Sequence, residues 1–149
     1  MSAPILSRRP QKYKAETGIK KRPLVFVDLE FSGLQLNHVV IEIGCLVVDQ
    51  QTLEIKKEWL QKIKLESSDA KKADKNSLKI VGYSEKEWKG AVSLKEAMRK
   101  FNRIANGCVL IGYNVSWDFM FLEKSFHDLK IKPKFHWQIL DVMSMVFNK

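Results

Sequence analysis

The sequence predicts an α/β domain, a mixed β-sheet with its first three strands antiparallel, flanked by helices. Three observations predict it. The first half carries three strand-like runs joined by short polar links, which antiparallel strands allow and parallel ones do not. The second half carries helical stripes opened by capping signals and separated by short apolar runs. The length, 149 residues, suits one domain and can bury roughly two thirds of its unfolded surface.

The elements follow in order. The segment up to Pro23 has few apolar residues and no period, and reads as a flexible arm over residues 1–23. Leu24–Phe31, rich in branched residues and too short for a helix, reads as a strand buried on both faces. A loop containing Gly33 leads to a second strand, Val39–Val48. After the polar turn Asp49–Thr52 comes a third, Glu54–Leu65. Ser67–Lys79 is polar and reads as a loop entering a short helix. Ser84 and Ser93, each with a Glu three residues on (Glu87, Glu96), match the capping box. The second box opens a helix from Leu94 to about Ala105, with Leu94, Ala97, Met98, Phe101 and Ile104 on one stripe and Asn106-Gly107 as its left-handed stop. Cys108–Tyr113 reads as a fourth strand, Ser116 to about His127 as a helix, Phe135–Leu140 as a fifth strand and Val142–Phe147 as a helical start. The domain is expected to occupy residues 24–149.

Composition narrows the function classes. Two cysteines make no disulfide framework, and with no secretory leader visible they point to a reducing, cytoplasmic setting. The longest apolar stretch, Val39–Val48, is short and broken by Glu42, so no membrane-spanning helix is expected. The net charge of +9 is uneven. The arm holds Arg8, Arg9, Lys12, Lys14, Lys20, Lys21 and Arg22 against Glu16 alone. It suits a polyanionic partner, or serves only as a solvated tail.

The chemistry concentrates in Asp28-Leu29-Glu30, inside an apolar strand. Strand alternation puts both carboxylates on one face, about 6.5–7 Å apart along the chain. Burying the two unpaired would cost several kcal/mol. A divalent cation would compensate them, since Mg²⁺ takes hard oxygen ligands. Lysine or arginine partners, or a wet strand end, would also remove the cost. Asp118, in the first turn of the helix after the fourth strand, shares a stripe with Phe121, Leu122 and Ser125. It either complements the helix dipole or reaches towards the sheet. Asn114, where strand turns to helix, either caps the helix or orients a ligand. Cys45 and Cys108 read as buried thiols, and most aromatic residues as core, with Trp117 open to stacking on a base. The parity of Glu42 leaves its face undecided.

These residues resemble a known family. Val27-Asp-Leu-Glu-Phe-Ser-Gly-Leu34, followed by Ile41-Glu-Ile-Gly44, resembles the first motif of the DEDD (DnaQ-like) 3′–5′ exonucleases, and Gly112-Tyr-Asn-Val-Ser-Trp-Asp118, followed by Phe121-Leu122, resembles their second. Ser77–Ser84 and Leu140-Asp141 are also similar to that family. The resemblance runs from about Leu24 to the end. It implies a ribonuclease-H-like fold and removal of nucleotides from a 3′ end of single-stranded DNA or RNA. Two ions, Mg²⁺ or Mn²⁺, about 3.5–4 Å apart would activate water and stabilise the leaving 3′ oxygen. On that implication Asp28 bridges both ions, Glu30 binds the first and Asp118 supports the second. Phe31, Ser32, Gly33 and Leu34 receive the terminal nucleotide and Asn114 holds the motif in place, while Trp117, beside Asp118, is open to stacking on a base. A polymerase or another replication or repair protein is an implied partner, and a membrane is not.

The family's third motif, a His or Tyr five residues before a final Asp, has no counterpart where it belongs. His127 and His136 precede that place, and Asp141 reads as a helix cap. The domain is therefore expected to be C-terminally truncated, one or two helices short: either a fragment of a complete enzyme, or an incomplete domain with impaired metal binding and a rate cut by orders of magnitude. The alternatives are a nucleic-acid-binding module with this fold and little turnover, or a structural domain whose carboxylates pair with lysines.

Overall fold

The structure, a computed structural model, describes residues 18–147. Its strands are β1 (Leu24–Phe31), β2 (Val40–Val48), β3 (Ile55–Lys62), β4 (Val109–Gly112) and β5 (Ile139–Asp141). Its helices are α1 (Ser67–Ala70), α2 (Lys75–Val81), α3 (Leu94–Ile104), α4 (Ser116–Asp128) and α5 (Val142–Val146). One five-stranded sheet runs in the order β3-β2-β1-β4-β5. The β1–β2 and β2–β3 pairs are antiparallel, as their short links dictate. The β1–β4 and β4–β5 pairs are parallel, and the chain between their strands passes through α3 and α4 respectively. The expected mixed α/β architecture is therefore present.

Periodicity decides which face is covered. Val25, Val27 and Leu29 of β1 join Ile43, Cys45 and Val47 of β2 and Leu110 of β4 in the main core. Ala97, Met98 and Phe101 of α3 and Phe121, Leu122 and Phe126 of α4 cover that layer. Ser93 starts α3 as expected, its side chain accepting from Glu96 N. On the opposite face only a small cluster forms, Leu24, Val109 and Ile111 under Ile19, Leu140 and Val142. A third cluster seats Ile41, Leu65 and Trp88 against Leu78 and Val81 of α2. There the Trp88 indole donates to Ile41 O at 3.0 Å, so its polar atom is satisfied in the apolar setting.

Three expectations need correction. The first strand is not buried on both faces: past Leu24 its second face, Phe26, Asp28 and Glu30, is exposed. The reason is that the opposite-face cluster stops at Ile111 and no helix extends over the rest of that face among the described residues. The fifth strand is shorter than expected, because Phe135 enters the main core and His136 N bonds Cys108 O at 2.7 Å before the strand begins. The Ser84 box match is borne out, with Glu87 N donating to Ser84 Oγ at 3.1 Å, and it heads a run of turns. Gly90 follows too soon for a costly helical nucleus to propagate. Last, the expected arm spans 1–23, and of it residues 1–17 lie outside the described residues. Ile19–Lys21 instead forms a 3-10 turn on the domain, with Arg22 Nη1 donating to Gly107 O at 3.0 Å.

Phe101 is fully buried between α3 and the sheet, 6.2 Å ring to ring from Phe135. Replacing it with alanine is expected to cost about 3–5 kcal/mol in a denaturant melt, with the same slope against denaturant.

Candidate active site

The site forms where β1 outruns β4. Their pairing ends at Phe26 opposite Ile111, so the Leu29 amide beyond that point needs another acceptor. Asp118 supplies it: the Leu29 N–H donates to Asp118 Oδ1 at 2.9 Å. The sequence left Asp118 open between the helix dipole and the sheet, and the structure puts it on the sheet. Asp118 is 7% exposed, and burial pushes its pKa up to about 6. The Leu29 bond opposes that rise, while the charges of Asp28 and Glu30 add to it.

β4 must leave the sheet for α4 to start so close to β1, and Gly112 permits the turn. A Cβ at Gly112 would stand 3.0 Å from Val27 O and 3.1 Å from Val115 Cγ2. Asn114 follows in the left-handed region (φ 52), which asparagine tolerates better than most residues. It does not cap α4 with its side chain, since the cap position is Val115 and carries no such bond. Its N–H instead donates to Asp141 Oδ1 at 3.0 Å, an oxygen that also accepts from Met143 N at 3.0 Å. Asp141 is thus a helix cap, as expected, and also holds the turn ahead of α4.

Asp28 and Glu30 lie on the exposed face of β1, and neither makes an ion pair among the described residues. The reading in which lysines neutralise them is not realised there. The burial penalty that motivated a compensating cation falls on Asp118 and, more mildly, on Glu30. The Glu30 carboxyl is raised first by burial, then by Asp28, then by Glu42. Glu42 is the residue the sequence left undecided. The β1–β2 register sets it opposite Glu30, and the signal was available in the antiparallel pairing once the loop length was fixed.

The expected substrate loop divides into support and exposed surface. Ser32 is wholly buried, its hydroxyl accepting from Val39 N at 3.0 Å, so its side chain closes the loop and is not presented to a ligand. Phe31 packs on Phe121 at 4.3 Å between ring centres and belongs with the core. Gly33 lies under the His38 ring, which a Cβ would meet at 2.3 Å. Leu34, 63% exposed, and Trp117, 41% exposed, are the expected ligand-contact side chains that do face solvent. Trp117 sits 6.3 Å from Phe121, extending an aromatic row from Phe31 to the surface.

His136 stands five residues before Asp141, the spacing of the missing third motif, but the fold separates it from the carboxylates. Its amide bonds Cys108 O, at the entry of β4, whereas Asp28 and Glu30 lie beyond the end of the β1–β4 pairing. Burial also lowers its pKa. His127, at the far end of α4 from Asp118, is exposed beside Asp128. Both cysteines are buried free thiols, pushed by burial up to about 11.

The donor set around β1 is all oxygen, and the charge of Asp28 raises the pKa of both Glu30 and Asp118. In chemistry and charge it fits a hard divalent cation. In placement the set is open: among the described residues no group of three or more His, Cys, Asp or Glu side chains is gathered to hold an ion.

Comparison with known proteins matches this arrangement. The exonuclease family (RNase T) matches residues 25–149. No curated protein sequence matches. Among solved structures, an exonuclease I in complex with an SSB C-terminal segment superposes with a TM-score of 0.72 at 13% identity, covering 85% of this chain and 29% of that one. Escherichia coli exonuclease I with a dT13 oligonucleotide gives 0.68 at 13% identity, over 84% and 29%. A product-bound exonuclease I gives 0.71 at 13% identity, over 85% and 31%. The chain thus spans less than a third of those proteins, with which it shares the ribonuclease-H-like fold. Strand order, the two acidic segments at one end of the sheet and the match over residues 25–149 lead to one conclusion: the chain belongs to the exonuclease family.

Proposed function

We propose that this domain hydrolyses phosphodiester bonds of single-stranded nucleic acid from a 3′ end, with divalent cations held by Asp28, Glu30 and Asp118. The observation that carries the reading is the bond from Leu29 N–H to Asp118, which brings the second acidic segment onto the first. A bound Mg²⁺ or Mn²⁺ would supply Lewis-acid polarisation of the phosphoryl group and a nucleophilic water at neutral pH. The chain's own contribution is positional. Asp118 is fixed by Leu29. Asp28 and Glu30 stand exposed on the same strand face, accessible to ion and phosphate. Leu34 and Trp117 offer apolar surface to the terminal bases. The solved exonuclease I with dT13 is a relative in fold that binds a single-stranded oligonucleotide, and that supports the substrate class.

A second reading is favoured by the open donor set and by the engagement of Asp141 as a cap. In it the domain binds nucleic acid with little turnover. A 3′-to-5′ ladder separates the two. With 5′-labelled single-stranded DNA or RNA and Mn²⁺, stepwise shortening that disappears in Asp28→Ala is the expected result. Salt-sensitive binding without shortening establishes the second reading instead.

Cation binding is expected to stabilise the fold. At a concentration 100-fold above its Kd, Mn²⁺ should add about 2.7 kcal/mol, a rise in Tm on the order of 5–10 °C, and Asp28→Asn should remove most of it. In chelated protein the dependence on pH has a definite sign. Asp118 has its pKa raised from 3.8 to about 6, so folding favours its protonated form. That contribution is complete below the unfolded pKa and is lost as pH rises through the folded one. The Tm of the wild type relative to Asp118→Asn should therefore fall between about pH 4 and pH 7. A difference independent of pH would show that Asp118 is not held in this environment.

A further inference from the structure

Beside the loop after β1, the segment through α1 and α2 carries Lys71, Lys72, Lys75 and Lys79, all exposed. Two acids lie in the segment, Asp69 in α1 and Asp74; Asp74 is engaged in structure, its Oδ1 accepting from Ser77 N at 2.7 Å and from Ser77 Oγ at 2.9 Å, which leaves four lysines against Asp69. None of the four lysines makes an ion pair among the described residues, whereas Lys56, Lys62, Lys64 and Lys124 each have an acidic partner. Lys75 and Lys79 stand four apart on the short helix α2, a like-charge placement that weakens it. Folding therefore gains nothing evident from this cluster.

Its position is fixed with respect to the carboxylates. Asp74 N donates to Ser32 O at 2.7 Å, and His38 Nε2 lies 3.0 Å from Lys72 O. His38 Nδ1 accepts from Gln35 N at 2.9 Å, so one ring joins the loop to the elbow between α1 and α2. Glu30 is only two residues before Ser32. Large apolar side chains lie exposed around the same junction: Leu34 at 63%, Leu36 at 64% and Ile80 at 86%. Unpartnered cations with bare apolar side chains match a strand whose phosphates are charged and whose base faces are unpaired. A duplex offers no exposed base faces to such side chains.

We propose that the α1–α2 elbow is a phosphate track that guides single-stranded nucleic acid to the Asp28–Glu30 end of β1. Lys71, Lys72, Lys75 and Lys79 contact the backbone, and Leu36 and Ile80 contact bases. The direction of travel rests on the exonuclease reading; the binding surface does not.

The test measures binding of the full chain to fluorescent dT and rU oligonucleotides in EDTA, from 50 to 300 mM salt. Replacing Lys71, Lys75 and Lys79 together with glutamine should lower the slope of log affinity against log salt by about 2, at about 0.7 per lost phosphate contact on a single strand. Replacing Lys130, Lys132 and Lys134 removes the same charge from the segment beyond α4 and should leave the slope unchanged. Circular dichroism melts confirm that both variants fold. Equal losses in the two variants, an unchanged slope in the first, or a first variant that loses binding only to phosphatidylserine vesicles would each overturn the track. Because EDTA removes metal and turnover, the two ideas fail separately. A slope effect with no nuclease activity sinks only the exonuclease reading, and nuclease activity with no slope effect sinks only the track.

Discussion

The site depends on one hydrogen bond, from the Leu29 amide to the Asp118 carboxylate. β1 continues past the end of its parallel partner, and a backbone amide left there without an acceptor would carry a desolvation cost of about 1–3 kcal/mol. Asp118 meets that requirement from the first turn of α4, and in doing so becomes buried near two other carboxylates. The same contact that completes the backbone creates the electrostatic tension. A neutral acceptor would satisfy Leu29 equally well and leave no charge to be compensated.

The two layers of the sheet divide the work. The face towards α3 and α4 is continuous apolar core, with Phe101, Phe121 and Phe126 fully buried. The other face carries Phe26, Asp28 and Glu30 outward, beside a shallow groove of about 500 Å³ that Leu46, Glu58, Leu60 and Tyr113 help line. Stability and charge thus reside on opposite sides of one strand. The alternation of β1 lets mutual repulsion persist on one face without weakening the packing on the other.

How much of this was legible depended on how local the cause was. Strand parity put Asp28 and Glu30 on one face, and the Ser93 cap marked the start of α3, because both are fixed by neighbours in sequence. Burial was not local. Leu24–Phe31 reads as doubly buried from composition, yet its second face is covered only at Leu24, by the nearby Ile19 and by Leu140 and Val142, which are remote in sequence. Glu42 could not be placed from its own strand for the same reason, since its relation to Glu30 follows only from the pairing of β1 with β2. Ser32 looked like a ligand contact within a motif, whereas its hydroxyl is consumed by Val39 N across the loop. His136 and Asp141 show the converse error available to spacing alone. Their separation suits a catalytic pair, and the fold ties one to the entry of β4 and the other to the start of α5.

The loop from Ser32 to His38 joins these parts mechanically. Gly33 has no Cβ because the His38 ring occupies that space, and the ring in turn bonds Gln35 N and Lys72 O. Ser32 O accepts from Asp74 N, the residue whose carboxylate caps α2. A displacement of the elbow would therefore be felt at Ser32, and through it at Glu30, two residues back along a strand whose neighbour Leu29 is fastened to Asp118. The exposed leucines sit between two anchors and the acids beyond them, so the apolar loop and the charged strand end are held in register by one backbone bond and by side-chain bonds to backbone. That coupling needs no long-range signal: four hydrogen bonds and one missing Cβ fix the exposed leucines of the loop relative to the carboxylates at the end of β1.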